Sequence, residues 1–137
     1  MMVLDASAAI NAASIEIDDS ASEELVELLD RERFIAPRIF GLEAANSAWK
    51  YTHAGMFPEC KTSQMVAVAV AHIDQFYDDE DLVGEAFSEA VRLNHPVYDM
   101  LYFVLARRKG ARLFTADKRL ARLCEDNGVE CIQFTDL

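Results

Sequence analysis

The stretch that decides the fold is His95–Cys124, which reads HPVYDMLYFVLARRKGARLFTADKRLARLC. Its first part has apolar residues at helical spacing up to Gly110, and glycine is the residue that most often follows the last turn of a helix. A short apolar strand, Arg112–Thr115, comes next and passes directly into a second helical pattern. The stretch therefore predicts a helix at Val97–Lys109, a strand at Arg112–Thr115 and a helix at Asp117–Asp126, with Asp99 near the start of the first helix and Asp117 at the start of the second.

The same alternation extends over the rest of the chain. The further predicted strands are Val3–Leu4, Arg33–Ala36 and Val129–Ile132, and the further predicted helices are Ala8–Ala13, Ser20–Asp30, Ile39–His53 and Asp81–Leu93. Residues 62–75 are ambiguous, because their valines alternate as in a strand while their alanines and length favour a helix, with a short strand possible at Phe76–Tyr77. Strands that alternate with helices predict a parallel sheet covered by helices on both faces. At 137 residues we expect one domain over residues 1–137.

The composition and the N-terminus indicate the cellular location of the protein and the role of its cysteines. Apolar residues make up 52% of the chain, but no apolar run approaches the length of a membrane span. Asp5 interrupts the N-terminus too early for a signal peptide, so we expect a cytoplasmic protein without membrane contact. The three cysteines, Cys60, Cys124 and Cys131, lack metal-type spacing and predict small core residues in a reducing compartment.

The charge of the chain is unevenly distributed. The net charge of −11 argues against general nucleic-acid binding, because phosphates require cations. Seven of the thirteen basic residues nevertheless lie within residues 107–122; they are Arg107, Arg108, Lys109, Arg112, Lys118, Arg119 and Arg122. This stretch has two interpretations: a local track for phosphates, or a solvated face whose first cations stabilise a helix C-terminus.

Four acids are predicted to meet at one edge of the sheet. Asp5 and Asp117 each follow a strand, Asp99 opens the helix that leads to a strand, and Glu43 lies on the helix after the second strand. The carboxyl ends of parallel strands share one edge, which is where such sheets bind ligands. Each aspartate alone is explained by helix capping, but clustered carboxylates repel one another unless a divalent cation joins them. Carboxylates are preferred ligands of Mg²⁺ and Mn²⁺, so the pattern favours phosphodiester hydrolysis.

Four further residues near these acids have interpretations of their own. His95 is close to Asp99 and could act as a general base, but its position before a proline predicts a loop or surface role. Tyr98 and Tyr102 are interpreted as helix packing. Trp49 could stack on a base, but its helical position favours packing or a dimer interface.

The residues in four segments resemble the PIN domain family. The segments are VLDASAAI at residues 3–10, PRIFGLEAANSAWK at residues 37–50, the stretch at residues 95–124, and GVECIQF at residues 128–134. The size of the chain is similar to that of the VapC-like toxin ribonucleases of toxin–antitoxin pairs. The resemblance implies a three-layer α/β/α fold, with a mostly parallel five-stranded sheet in the order 3-2-1-4-5. It also implies a Mg²⁺- or Mn²⁺-dependent endoribonuclease that forms a homodimer and is restrained by an antitoxin protein.

The resemblance also assigns roles within the site. Asp5 and Asp99 would hold the principal metal, and Glu43 and Asp117 would complete the acidic shell. Water would attack the phosphorus of RNA, so that no protein nucleophile is needed. The supporting polar positions implied are Ser7, Asn46 and Thr115.

Two other functions remain open at this point. The first is a non-catalytic module of the same fold that binds RNA or protein, although the presence of all four acids counts against it. The second is a phosphatase or a response-regulator-like domain, which would use an aspartate at a strand end as phosphoacceptor. A phosphatase of that kind needs a second acid two residues later, where this chain has Ser7.

Overall fold

The structure is a computed structural model that describes residues 1–137. It contains five strands, seven helices and a short 3-10 helix at Phe134–Asp136. The strands are β1 (Met2–Leu4), β2 (Phe34–Pro37), β3 (Ile73–Tyr77), β4 (Arg112–Thr115) and β5 (Cys131–Gln133). The helices are α1 (Ala6–Ile17), α2 (Glu23–Arg31), α3 (Phe40–His53), α4 (Glu59–Ala71), α5 (Asp79–Leu93), α6 (Val97–Lys109) and α7 (Lys118–Asp126).

The five strands form one sheet in the order β3-β2-β1-β4-β5, and every pairing is parallel. The predicted parallel sheet and its order are therefore confirmed, without any antiparallel strand. Strand β1 lies at the centre, where Val3 pairs with Ile35 on one side and Leu113 on the other. Helices α1, α3 and α4 pack together, while α5 packs on α6, and α6 contacts β1, β2 and β4.

Helix α6 is the central helix of the core. Its residues from Met100 to Ala106 are all buried, which explains why its sequence is apolar on every side. Gly110 ends the helix in the left-handed conformation at φ 59°, as the sequence predicts for a glycine in this position. No helix of the protein has the length and apolar content needed to cross a membrane.

The ambiguous segment contains both predicted kinds of structure. Helix α4 ends at Ala71, and the strand β3 begins at Ile73, so the prediction of helix through residue 75 is wrong for its last residues. Strand β3 pairs with β2, and the carboxylate of Asp74 accepts a hydrogen bond from the backbone N–H of Phe34 at 2.8 Å. Long-range pairing therefore decides a segment whose local composition allows either state.

Other predicted boundaries shift without changing the order of elements. Helix α1 extends to Ile17, well beyond the predicted Ala13, and α2 begins at Glu23 rather than Ser20. Ser22 accounts for the second shift, because its hydroxyl caps α2 by accepting from the N–H of Leu25. Strand β5 begins at Cys131, two residues after the predicted start.

The prediction that the three cysteines are core residues holds for only some of them. Cys124 is fully buried in the core and Cys131 is partly buried, whereas Cys60 is exposed at the start of α4. The prediction of a core position for Cys60 is therefore wrong, and all three thiols are free.

Candidate active site

The structure brings all four predicted acids to one cavity of about 720 Å³ at the carboxyl edge of the sheet. Asp5 follows β1, Asp117 caps α7 just after β4, and Glu43 and Asp99 lie in the first turns of α3 and α6. Ser7 and Asn46 also line the cavity, and one cation, Lys50, does so. The parallel topology explains this convergence, since it places the start of every following helix at the same edge.

Asp5 forms the floor of the cavity and is 6% exposed. Its Oδ2 accepts hydrogen bonds from the hydroxyls of Ser7 and Thr115, both at 2.6 Å. The same hydroxyls accept from the backbone N–H groups of Ala116 and Asp117, at 3.2 and 3.0 Å. A single network therefore connects the end of β1 to the end of β4, and it includes two of the predicted supporting residues.

Burial dominates the electrostatics of Asp5. Removal from water raises the pKa of this carboxyl, although the two hydroxyl donors lower it. The charges of Asp99 and Asp117 raise the pKa further. Asp5 therefore lies where a negative charge is disfavoured unless a cation compensates it.

Glu43 is held by a residue of the central helix. The hydroxyl of Tyr102, whose ring is fully buried, donates a hydrogen bond of 2.7 Å to Oε1 of Glu43. Burial raises the pKa of Glu43 to about 7, helped by the charges of Asp5 and Asp99, while the Tyr102 hydrogen bond lowers it. The same surroundings raise the pKa of Tyr102, so its hydroxyl keeps its proton and remains a donor.

Asp99 is held by a buried histidine. Nε2 of His95 lies 2.7 Å from Oδ2 of Asp99, and the His95 side chain is 3% exposed. His95 lies in the loop between α5 and α6, as predicted, but the alternative of a surface role is wrong because the side chain is buried. Asn94 ends α5 in the left-handed conformation, and the N–H of His95 donates to the carbonyl of Ala90, so the turn directs the ring inwards.

Helix capping explains only one of the three aspartates. Asp117 caps α7, because its Oδ1 accepts from the N–H groups of Arg119 and Leu120 at 2.9 and 3.2 Å. Asp5 occupies the N-cap position of α1, but its side chain makes no capping hydrogen bond. Asp99 lies inside the first turn of α6, whose N-cap is Pro96.

Each of the four carboxylates has one oxygen bonded to the protein and one without a protein donor. The oxygens without a donor are Oδ1 of Asp5, Oε2 of Glu43, Oδ1 of Asp99 and Oδ2 of Asp117. No buried side-chain oxygen lacks a partner, so these four atoms are not sealed in the core. The protein thus fixes each carboxylate through one atom and leaves the other for a ligand.

The donor set fits a hard divalent cation that retains water. Four carboxylate oxygens and the amide of Asn46 offer oxygen ligands of the kind Mg²⁺ and Mn²⁺ prefer. No three His, Cys, Asp or Glu side chains are gathered closely enough to hold a metal by protein ligands alone. Mg²⁺ usually keeps several of its waters, and such waters can connect the ion to carboxylates that it does not contact directly.

Sequence reasoning missed the contacts of two residues with the acids and misjudged one residue that lines the cavity. His95 holds Asp99, and the separation of four residues between them is the signal that could have revealed this contact. Tyr102 is fully buried, as its interpretation as helix packing predicts, and its hydroxyl also holds Glu43. Tyr98 lines the cavity and is 62% exposed, so its interpretation as packing is wrong. Trp49 is 57% exposed and stacks on His53 with ring centroids 4.9 Å apart, so it does not pack in the core, and its interpretation as a dimer-interface residue stays a prediction.

The titration of Glu43 gives a test that needs no ligand. A carboxyl whose pKa is raised to about 7 stabilises the fold at low pH and loses that contribution as the pH rises towards 7. Glutamine imitates the protonated acid, so Glu43→Gln should match the wild type near pH 4, below the ordinary carboxyl pKa of 4.5, and be the more stable protein at pH 8. Chemical unfolding in EDTA across this range measures the difference. Equal stability of the two proteins at every pH would contradict the raised pKa.

A five-stranded parallel α/β domain with an acidic cavity at the carboxyl edge of its sheet is the class that this fold and site define. The family model described as the PIN domain matches residues 2–126, and the chain belongs to this family. It is 26% identical over 123 residues to the protein named Ribonuclease VapC3 of Pyrobaculum aerophilum, covering 88% of this chain and 92% of that protein. It also resembles the crystal structure of PAE2754 from Pyrobaculum aerophilum, with a TM-score of 0.71 and 23% identity. That alignment covers 95% of this chain and 82% of the solved one, and it supports the fold alone.

Proposed function

We propose that residues 1–137 form a single PIN-like domain that acts as a Mg²⁺- or Mn²⁺-dependent endoribonuclease in the cytoplasm. The observation that carries this proposal is the lining of one cavity by four carboxylates with Lys50 as its one cation. A phosphodiester would be repelled from such a cavity, since its charge has the same sign. A bound divalent cation would turn this repulsion into attraction, because it attracts both the carboxylates and the phosphate. The likeness to a protein named as a ribonuclease supports RNA as the substrate.

The proposed catalytic residues are Asp5, Glu43, Asp99 and Asp117. Asp5 and Asp99 would hold the principal ion through their oxygens that lack protein donors, and Glu43 and Asp117 would complete the shell directly or through water. When bound, the ion would neutralise charge on the phosphate and lower the pKa of an attacking water. Ser7 and Thr115 keep Asp5 oriented, and no protein nucleophile is required.

Substrate binding extends beyond the four acids. A second cavity of about 350 Å³ adjoins the first and shares Ser7, Ser47, Lys50 and Asp117 with it. The two cavities suit a chain that continues past the cleaved bond, as in an endonuclease. Asn46 lies on α3 in the first cavity and is proposed to contact the substrate or a water.

The experiment that tests the function is cleavage of end-labelled RNAs by the full chain with Mn²⁺. Internal cuts that yield discrete products are expected, and the same sequences as DNA should remain uncut. RNA that binds tightly but stays intact would favour a non-catalytic module instead. This outcome would overturn the proposed activity while leaving the fold family unaffected.

We propose that His95 positions Asp99 for the cation. Removing a group that orients a ligand typically weakens metal binding by about ten-fold or more. His95→Leu should therefore raise the dissociation constant for Mn²⁺ by about ten-fold, while His95→Gln, which retains an N–H donor, should preserve most of the affinity. The free Mn²⁺ signal in electron paramagnetic resonance measures both constants.

The chain offers a matched control for this test. His72 makes the same type of contact with Glu16 at 2.8 Å, and neither residue lines the cavity. His72→Leu should leave the Mn²⁺ affinity unchanged even if it lowers the melting temperature. If His95→Leu binds Mn²⁺ as tightly as the wild type, His95 has only a packing role.

A nuclease of this kind requires restraint, and we propose that the protein is the toxin of a toxin–antitoxin pair. The acidic cavity and the net charge of −11 suit an antitoxin that inserts a cationic side chain beside the carboxylates. We also propose a homodimer, for which α5 offers exposed Val83, Phe87 and Val91 at one residue per turn. Light scattering measures the dimer, and inhibition by the protein encoded in the adjacent reading frame tests the pairing.

A further inference from the structure

The basic stretch of residues 107–122 divides into two halves with different surroundings. In the first half, Arg107 and Arg108 both pair with Glu85, at 2.5 and 2.6 Å. Arg112 pairs with Glu32 at 3.0 Å, and the ammonium of Lys109 lies 4.6 Å from the centre of the Tyr77 ring. Three of these cations have a carboxylate partner and the fourth lies over an aromatic ring, so the interpretation as a solvated face without a ligand applies to them.

The second half has no such partners. Lys118, Arg119 and Arg122 are exposed on α7, and none of them takes part in an ion pair of the structure. They form the α7 basic face, in which Arg122 lies one turn beyond Lys118 and Arg119. Three cations without an ion pair on one helix, whose last turn also carries Glu125 and Asp126, contrast with a protein whose net charge is −11.

The helix dipole does not account for the α7 basic face. Cations stabilise the C-terminal end of a helix, which explains Arg107 and Lys109 at the end of α6. Lys118 and Arg119 are instead the first two residues of α7, where the positive end of the dipole repels them. The helix dipole therefore does not favour Lys118 and Arg119 at this position, and their exposure without ion pairs suits an anionic partner.

The α7 basic face begins beside the acidic cavity. Asp117 both lines the cavity and caps α7, so Lys118 and Arg119 follow directly after a cavity residue. We infer that the α7 basic face binds phosphates of the RNA chain next to the cleaved bond. This inference rests on the proposed function, because RNA is the anion that the cavity is proposed to cleave.

The α7 basic face matters for RNA binding because the protein as a whole is negatively charged. An acidic protein repels RNA at long range, and the cavity itself offers Lys50 alone as a cation. The α7 basic face would supply a local attraction for phosphates next to Asp117, although none of its three cations lines the cavity itself. Each phosphate contact also releases counterions, which makes the binding depend on salt in a measurable way.

The test compares two triple variants that each remove three positive charges from the same stretch. The first replaces Lys118, Arg119 and Arg122 with glutamine, and the matched control replaces Arg107, Arg108 and Lys109 with glutamine. Binding of a single-stranded RNA oligonucleotide is measured by fluorescence anisotropy from 50 to 300 mM KCl, with the full chain carrying Asp5→Asn so that the RNA stays intact. The KM for cleavage and the Mn²⁺ affinity are measured on otherwise wild-type chains.

The α7 variant should raise the dissociation constant for RNA and the KM by about ten-fold or more at low salt. It should also flatten the slope of log affinity against log salt by about 2, since each single-strand contact contributes about 0.7. The Mn²⁺ affinity should stay at the wild-type value, and the control should change the RNA affinity by less than about two-fold.

Equal RNA affinity of the α7 variant and the control would overturn the inference even if the wild type cleaves RNA. RNA binding that depends on the α7 basic face in a wild type without cleavage would instead overturn the proposed activity and support the inference. A wild type that neither binds nor cleaves RNA would overturn both.

Discussion

Asp5→Asn is expected to slow RNA cleavage by about a thousand-fold, because loss of a metal-holding carboxylate removes about 4 kcal/mol of transition-state stabilisation. Asp99→Asn should have an effect of the same size. Asparagine is nearly isosteric and still accepts the hydrogen bonds of Ser7 and Thr115 at position 5. The measurement is the single-turnover rate with saturating Mn²⁺.

The stability of the same variants shows whether a loss of cleavage comes from the missing carboxylate or from unfolding of the protein. Burial raises the pKa of Asp5, so a neutral side chain at this position should leave the metal-free protein at least as stable as the wild type at pH 7.5. Asp30→Asn is the control, since Asp30 is an exposed acid on α2 without an ion-pair partner. An Asp5→Asn protein that folds normally and cleaves at the wild-type rate would refute the proposed site.

Removal of divalent cations is the second large effect that we expect. EDTA should abolish cleavage, and added Mg²⁺ or Mn²⁺ should restore it, because the acidic cavity repels the phosphate without a cation. A cation that binds only the folded state stabilises it by about 2.7 kcal/mol at a hundred times its dissociation constant. For a domain of this size that corresponds to a rise of roughly 10 °C in the melting temperature.

Variants of the site test whether the rise in melting temperature comes from a cation bound there. Asp5→Asn and Asp99→Asn should lose most of the rise that Mn²⁺ produces in the wild type, whereas Asp30→Asn should keep it. Cleavage at full rate in excess EDTA would rule out the metal mechanism. Stabilisation by Mn²⁺ that persists in both site variants would place the cation elsewhere on the protein.

The order of elements was predictable because the local signals agree with the tertiary structure. Helix α6 and strand β4 match their predicted bounds, since the apolar spacing, Gly110 and the following strand all favour the same boundaries. The segment around Ile73–Tyr77 was not predictable to the same degree, because its pairing with β2 overrides a composition that favours a helix. Local composition carries no information about which distant strand is available for pairing.

The amino-acid sequence by itself determined that four acids follow strands or open helices of a parallel sheet, and topology alone then brings them to one edge. Only the tertiary structure decided how each acid is held: by Ser7 and Thr115, by Tyr102, by His95, and by the N-terminus of α7. It also decided which cations of the basic stretch are paired and which are exposed. The physical reason is that parallel strands place all their carboxyl ends at one edge of the sheet, whereas hydrogen-bond partners and charge pairing depend on distances between residues far apart in sequence.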